Sequence, residues 1–242
     1  MSERSMVNEA HAEGSSSPNG SRTIYGVRSS DSRSRKDGVS ARTRGTRRSD
    51  VEVILSDGSS FFVPTSLWVR IGRAEGETAD DEWLTQLHHQ VDVSAARSRA
   101  LSLQARREHS SCQLRRKLIE RDIDPVVADI AIDSLLRDRL VDDARFARMW
   151  VESRLRRHPE GRAALFAGLL RSGVSRELAE QSLEELTTAD GDALDRAVES
   201  AAARLERSGA LEPQILTRKL AARGFSYQRI RNYLSRRENS SG

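Results

Sequence analysis

The residues of this sequence best suited to binding chemistry are clustered arginines and lysines. Seven basic side chains lie in residues 97–117 against the single acid Glu108, and seven more lie in residues 218–237 with no acid among them. Guanidinium and ammonium groups at this density suit a polyanion or an acidic protein face. The same runs also suit a helix surface that only faces water, and for any one arginine that interpretation is favoured.

Groups that could support catalysis or hold a metal do not converge in the sequence. The adjacent His88 and His89 cannot share a helix face as ligands four residues apart do. Cys112 has no partner cysteine and suits a small filler near a helix start. Asp142 and Asp143 suit the N-terminal turn of a helix, and no glycine-rich phosphate loop follows a predicted strand. We therefore predict a protein that is not an enzyme and uses no cofactor or metal.

Composition limits the class of protein further. The chain has 242 residues, of which 37% are apolar and 31% charged, with a formal net charge of +4. A single cysteine excludes an internal disulfide framework and fits a reducing compartment. No apolar run approaches the length of a membrane span, and the N-terminus lacks the apolar core of a signal peptide. These features predict a cytosolic protein.

The first third of the chain divides into two segments. Residues 1–48 are rich in Ser, Gly, Arg and Asn, and they are predicted to form a disordered basic tail. Residues 49–91 are predicted to form a β-hairpin and then one or two short helices. The hairpin turn is Asp57-Gly58, which lies between two β-branched or aromatic runs, and Pro64 ends the second strand.

A fixed interval of 51 residues organises the rest of the sequence. It separates the members of several independent sets of residues: Leu114, Leu165 and Leu216; Leu118, Leu169 and Leu220; Asp122, Gly173 and Gly224; Asp124, Ser175 and Ser226; Ile132, Leu183 and Leu234. A constant period in several columns is typical of a tandem structural repeat. Such arrays present an extended binding surface in place of a catalytic pocket.

Helix start and stop signals recur at the same interval. A helix is predicted to begin after Ser110, Gly161 and Glu212, and to end at the residues equivalent to Gly173, where glycine suits a left-handed C-terminal cap. The next helix would begin after Asp124 and its equivalents, all favourable N-cap residues. A helix before these two is indicated by Ala96, Ala147 and Val198, which also keep the interval, so each repeat would hold three helices.

These patterns predict an all-α fold of three tandem three-helix repeats, elongated and curved, preceded by the hairpin segment and the tail. The repeats would span residues 92–141, 142–190 and 191–238. In the second of them, Phe146 and Trp150 are spaced for one helix face. Core packing is the favoured interpretation of this pair, and base stacking beside neighbouring arginines is the alternative.

The residues in these patterns resemble those of the RecX regulatory family over about residues 50–237. The resemblance rests on Ala100-Leu101, Arg106-Arg107, Ser110, Leu114 and Lys117-Leu118, then on Asp142-Asp143-Ala-Arg-Phe146-Ala147, Arg154, Gly161, Leu165, Leu169 and Gly173-Val174. The sequence departs from the family at Asp122, where glycine or a similar residue is usual, and near Leu103, where an aromatic residue is usual.

The resemblance implies a regulator of recombination. Members of the family bind the RecA recombinase and its nucleoprotein filament, suppress ATP hydrolysis and strand exchange, and so modulate DNA repair and the SOS response. The implied partners are RecA and the RecA–DNA filament, with weak direct DNA contact as a further possibility. The chain is expected to be a monomer that has no membrane contact.

Twelve basic residues are the candidate contacts with the filament: Arg106, Arg107, Arg115, Arg116, Lys117, Arg148, Arg154, Arg157, Arg218, Lys219, Arg223 and Arg231. Two other functions fit the same residues. One is a stand-alone, sequence-tolerant DNA-binding module, because three-helix units with basic last helices resemble helix-turn-helix proteins. The other is a passive helical adaptor with no role in nucleic-acid metabolism.

Overall fold

The structure is a computed structural model that describes residues 22–29, 50–207 and 209–239. The chain divides into two compact units, residues 1–94 and residues 95–242. The first unit contains a small sheet with helices, and the described part of the second unit is helical. No helix among the described residues is long and apolar enough to cross a membrane.

Within the described residues, the sheet of the first unit has four antiparallel strands in the order β3-β2-β1-β4. These are β1 (Arg22–Ser29), β2 (Asp50–Leu55), β3 (Ser60–Pro64) and β4 (Thr78–Ala79). Strands β2 and β3 form the predicted hairpin, and Gly58 takes the positive φ of 83° that its turn requires.

Strand β1 corrects the interpretation of residues 1–48 as a disordered tail. Residues 22–29 pair with β2 along one edge and with β4 along the other, so Ile24 is buried between them. The segment is mostly polar, and its two apolar anchors, Ile24 and Val27, do not follow a simple alternation because a bulge lies between Ile24 and Gly26. The other residues of the predicted tail lie outside the described residues.

The core of the first unit forms where the sheet meets two helices. These are α1 (Thr65–Ile71) and the beginning of α2 (Asp81–Gln104). Val53 and Val63 of the sheet pack with Leu67 of α1 and with Leu84 and Leu87 of α2. Asp80 caps α2 by accepting a hydrogen bond of 2.7 Å from the Trp83 amide.

Helix α2 is longer than either of the one or two short helices predicted within residues 49–91. It runs without interruption from Asp81 to Gln104, so the predicted boundary between residues 91 and 92 falls inside it. The division between the two units also falls within α2, between Ser94 and Ala95.

Eight more helices follow α2 in the described part of the second unit. They are α3 (Ser111–Ile119), α4 (Pro125–Arg137), α5 (Asp143–Arg157), α6 (Arg162–Arg171), α7 (Arg176–Ala189), α8 (Ala193–Leu205), α9 (Pro213–Ala222) and α10 (Tyr227–Asn239). The predicted helix starts are confirmed, since Ser110, Gly161 and Glu212 are the N-cap residues of α3, α6 and α9.

The predicted left-handed turns are confirmed as well. Asp122, Gly173 and Gly224 have φ values of 62°, 81° and 82°, and each follows the end of α3, α6 or α9. The Asp124 carboxylate and the Ser175 hydroxyl then cap α4 and α7. The leucine columns are buried in the same register, with Leu114, Leu165 and Leu216 inaccessible to solvent.

Candidate partner-binding surface

The candidate basic residues lie in four parts of the second unit. Arg106 and Arg107 follow α2, and the next three candidates lie on α3. Three more lie on α5. The last group lies on α9, in the turn after it and on α10, and consists of Arg218, Lys219, Arg223 and Arg231.

Four of the candidates form ion pairs within the chain. Arg115 pairs with Asp129 of α4 through two nitrogens, and the hydrogen bond lowers the pKa of the Asp129 carboxyl. The other three pairs are Arg116–Glu120 at 3.6 Å, Arg148–Glu185 at 3.9 Å and Arg154–Glu160 at 3.5 Å. A guanidinium held by a carboxylate has less capacity for an external anion, so these residues act largely within the fold.

Arg154 has a second internal contact. Its guanidinium lies 5.2 Å from the centre of the Trp150 ring, a cation–π distance. The Trp150 ring lies against Gly168, where a β-carbon would overlap it. Phe146 is buried in the core formed by α5, α6 and α7, against which Trp150 packs. The preferred interpretation of Phe146 and Trp150 as core residues is therefore confirmed.

Arg107 is engaged by a buried histidine. Its Nε donates a hydrogen bond of 3.2 Å to Nε2 of His109, whose Nδ1 lies 2.8 Å from the Arg107 carbonyl oxygen. A guanidinium can only donate, so Nε2 accepts and Nδ1 carries the proton. Burial lowers the pKa of His109, and the Arg107 charge lowers it further.

The remaining candidates have no ion pair with any described residue. They are Arg106, Lys117, Arg157, Arg218, Lys219, Arg223 and Arg231. Four of the seven belong to the group on α9 and α10. Their charges are not neutralised within the described fold, so this group is the part of the surface best able to attract an anionic partner. We call these four residues the α9–α10 basic group.

Two of these residues have counterparts in the first helices. Arg218 and Lys219 stand 102 residues, or twice 51, after Arg116 and Lys117. Each basic pair follows one buried leucine and precedes another: Leu114 and Leu118 in α3, Leu216 and Leu220 in α9. The two pairs therefore occupy equivalent outward positions on their helices.

Two further basic residues were not among the sequence candidates. Arg162 and Arg171 lie at the two ends of α6, are exposed and have no ion pair with a described residue. The amide of Gly161, next to Arg162, donates to the Arg223 carbonyl at 2.9 Å, which brings α6 to the α9–α10 basic group. The 51-residue interval predicts the helix that carries them, and their positions at its two ends are the feature by which sequence analysis could have found them.

The paired carboxylates at the start of α5 serve the fold. Asp142 accepts hydrogen bonds of 2.9 Å from the amides of Ala144 and Arg145, which lower the pKa of its carboxyl. Asp143 accepts from both the amide and the hydroxyl of Ser111, at 2.7 and 2.6 Å. Asp143 thus links the first turns of α3 and α5. Cys112, beside Ser111, is exposed and does not fill a core position.

Comparison with known proteins gives this arrangement a context. Residues 96–135 match the family model for the first three-helix domain of RecX, and residues 142–183 match the model for the second. The regulatory protein RecX of Treponema pallidum (strain Nichols) is 37% identical over 138 residues, which cover 56% of this chain and 81% of that protein. The chain belongs to the RecX family.

More distant RecX proteins align over longer segments. RecX of Leuconostoc mesenteroides is 25% identical over 175 residues, covering 72% of this chain and 66% of that protein, just under two thirds of its length. A crystal structure of regulatory protein RecX superposes with a TM-score of 0.71 at 16% identity, over 88% of this chain and 99% of the other. RecX from Lactobacillus salivarius gives 0.51 at 19% identity, over 60% and 96%. These two structures share the fold.

Proposed function

We propose that this chain is a regulatory protein that binds RecA and its nucleoprotein filament and inhibits ATP hydrolysis and strand exchange. Membership of the RecX family supports the regulatory role, since the relatives are named regulatory proteins. The main support for the proposed contact with RecA is the α9–α10 basic group, whose four side chains have no ion pair with a described residue. The protein would act in the cytoplasm as a monomer, without a cofactor or catalysis.

The proposed contact is electrostatic. Exposed guanidinium and ammonium groups that are not neutralised within the fold accelerate association with an acidic surface, and this effect weakens as salt is added. Lys117 has no ion pair with a described residue and occupies a position equivalent to that of Lys219, so α3 would provide a second contact of the same type. Acidic faces of RecA or phosphates of the filament would both suit these groups.

We also propose that α8, α9 and α10 form a third copy of the three-helix unit. The second of the two matching family models ends at residue 183, before α8 begins. Support comes from the 51-residue spacing of the helix starts at Ser111, Arg162 and Pro213. The left-handed turn at Gly224 and the separate core around Val198, Leu216 and Ile230 also agree with a third unit.

The decisive experiment measures the single-strand-dependent ATPase of RecA with and without the full chain. We expect hydrolysis to fall as the chain approaches the concentration of filament sites. An unchanged ATPase over a wide range of concentration would contradict the proposal.

A matched pair of variants tests the basic group. The variant R218E/K219E should inhibit less, and the difference should shrink as salt is raised. The control R70E/R99E makes the same change in net charge at two exposed arginines that also lack an ion pair with a described residue. Equal loss of inhibition in both variants would mean that only net charge matters.

A stand-alone DNA-binding module is the second candidate. Tyr227 favours it, because this ring is 69% exposed one helical turn before Arg231, a pairing suited to stacking on a base beside a phosphate. Tight, salt-sensitive binding to DNA without RecA, together with an unaffected RecA ATPase, would favour this function. In that case the Tyr227→Ala variant should bind single strands more weakly.

A further inference from the structure

Two junctions in the second unit are built in the same way. At the first, the Ser110 hydroxyl at the start of α3 donates a hydrogen bond of 2.5 Å to the Ser172 carbonyl at the end of α6. At the second, the Gly161 amide at the start of α6 donates at 2.9 Å to the Arg223 carbonyl at the end of α9. The partners are 62 residues apart in both cases. Each helix start therefore receives the end of the equivalent helix that follows it.

Both junctions require a residue without a side chain in the left-handed turn. A β-carbon on Gly173 would lie 2.5 Å from Sγ of Cys112, and one on Gly224 would lie 2.7 Å from Cβ of Ala164. These separations are far below van der Waals contact. Glycine is thus required at both positions by packing as well as by the positive φ.

The two outer ends of this series carry acidic side chains. Asp122 has the same left-handed conformation as the two glycines, but it is exposed and no helix start in the described part of the chain packs on it. Glu212 is the N-cap of α9, equivalent to Ser110 and Gly161, and it too is exposed and makes no capping hydrogen bond. Among the three equivalent left-handed turns, at Asp122, Gly173 and Gly224, the one at Asp122 is therefore the turn that no helix start of the described residues covers.

We propose that Asp122 and Glu212 keep copies of this chain from joining head to tail. A second copy placed by the geometry of the two internal junctions would set the α3 end of one molecule against the α9 start of the other. The Asp122 side chain would then occupy space that a junction leaves empty, and Glu212 would stand where Ser110 or Gly161 fits. The two carboxylates would also repel each other. Without them the contact would be heterologous and open, and could continue from copy to copy.

The proposal is independent of RecA binding, and two single variants test it. D122G opens only the α3 end, and E212G opens only the α9 start. Each alone should remain monomeric in sedimentation velocity up to about 1 mM, a range in which weak contacts become populated. An equimolar mixture should form a 1:1 complex, and the double variant D122G/E212G should form longer species that grow with concentration.

The isosteric variant D122N/E212Q is the control, since it removes both charges and keeps the bulk of both side chains. It should stay monomeric. Glycine suits the φ of 62° at residue 122, so D122G should fold normally, and circular dichroism checks this. The proposal is overturned if the mixture and the double variant stay monomeric, or if D122N/E212Q associates as strongly as D122G/E212G.

Discussion

The Ser110 hydroxyl donates a hydrogen bond of 2.5 Å to the main-chain carbonyl of Ser172. The same oxygen accepts a hydrogen bond of 3.1 Å from the Gln113 amide, so one buried side chain caps α3 and holds the end of α6. Because the hydrogen bond from Gln113 is local and the one to Ser172 spans 62 residues, Ser110 connects the formation of one helix to the packing of another.

Replacing Ser110 with alanine should lower the free energy of unfolding by about 2 kcal/mol, since a cap and a buried hydrogen bond each contribute about 1 kcal/mol. Urea denaturation provides the measurement. Ser172→Ala is the control, because the Ser172 hydroxyl donates only to Gly168 one turn earlier and its carbonyl is retained. Similar losses in both variants would show that the Ser110–Ser172 bond adds nothing.

The junction between α6 and α9 predicts a loss of stability that comes from added bulk and not from a lost hydrogen bond. Gly161 has an extended backbone that any residue can adopt, but a β-carbon there would overlap the Gly224 carbonyl. Gly161→Ala should therefore destabilise the chain by about 1–3 kcal/mol through overpacking.

Gly191→Ala is its control, since the nearest atom to a β-carbon there, apart from the adjacent residues, is the Thr187 carbonyl oxygen at 3.9 Å, an ordinary contact. Thermal unfolding of the two variants separates the loss of packing space from the general effect of replacing glycine. A stable Gly161→Ala protein would mean that the junction opens without cost.

Stability should depend on pH through His109. Burial and the Arg107 charge lower its folded-state pKa below the ordinary 6.5, with Lys117 acting in the same direction and Glu108 against it. As pH falls below about 6.5, the unfolded chain takes up this proton before the folded chain does. The contribution of His109 to the free energy of unfolding should therefore be fully present above that pH and should be lost progressively below it.

Urea denaturation between pH 8 and pH 5 measures this dependence. The variant His109→Asn removes the titrating group and retains an N–H donor of similar position, so its stability should vary less over the same range. An identical pH profile in the two proteins would exclude His109 as the source.

The helix signals in the sequence were reliable where they are local. Asp124 and Ser175 cap the helices that follow them, and Gly173 takes the left-handed turn, because these choices depend on a few adjacent residues. Strand β1 was missed for the opposite reason. Its pairing partners lie in β2 and β4, far along the chain, and a mostly polar segment has no local pattern that predicts this pairing.

The candidate surface was only partly predictable for a related reason. Basic composition located Arg115 and Arg218 equally well, yet Arg115 is bound by Asp129 on the next helix and Arg218 has no such partner among the described residues. Which arginines are neutralised depends on helix packing. The charge run therefore predicted the basic character of the surface but not the residues that remain available.

Two arginines of α10 provide the sharpest test of this distinction. Arg229 donates a hydrogen bond of 2.6 Å to Asp195 of α8, whereas Arg231, two residues later, is exposed and has no ion pair with a described residue. Arg229→Ala should reduce the free energy of unfolding by about 1 kcal/mol, because it leaves a half-buried carboxylate unpaired, and should preserve inhibition of the RecA ATPase. Arg231→Ala should leave the urea midpoint unchanged and weaken inhibition about threefold at low salt, the size expected for one exposed charge. If the effects were reversed, the partner would contact the face of α10 toward Asp195, and the α9–α10 basic group would not be the binding surface.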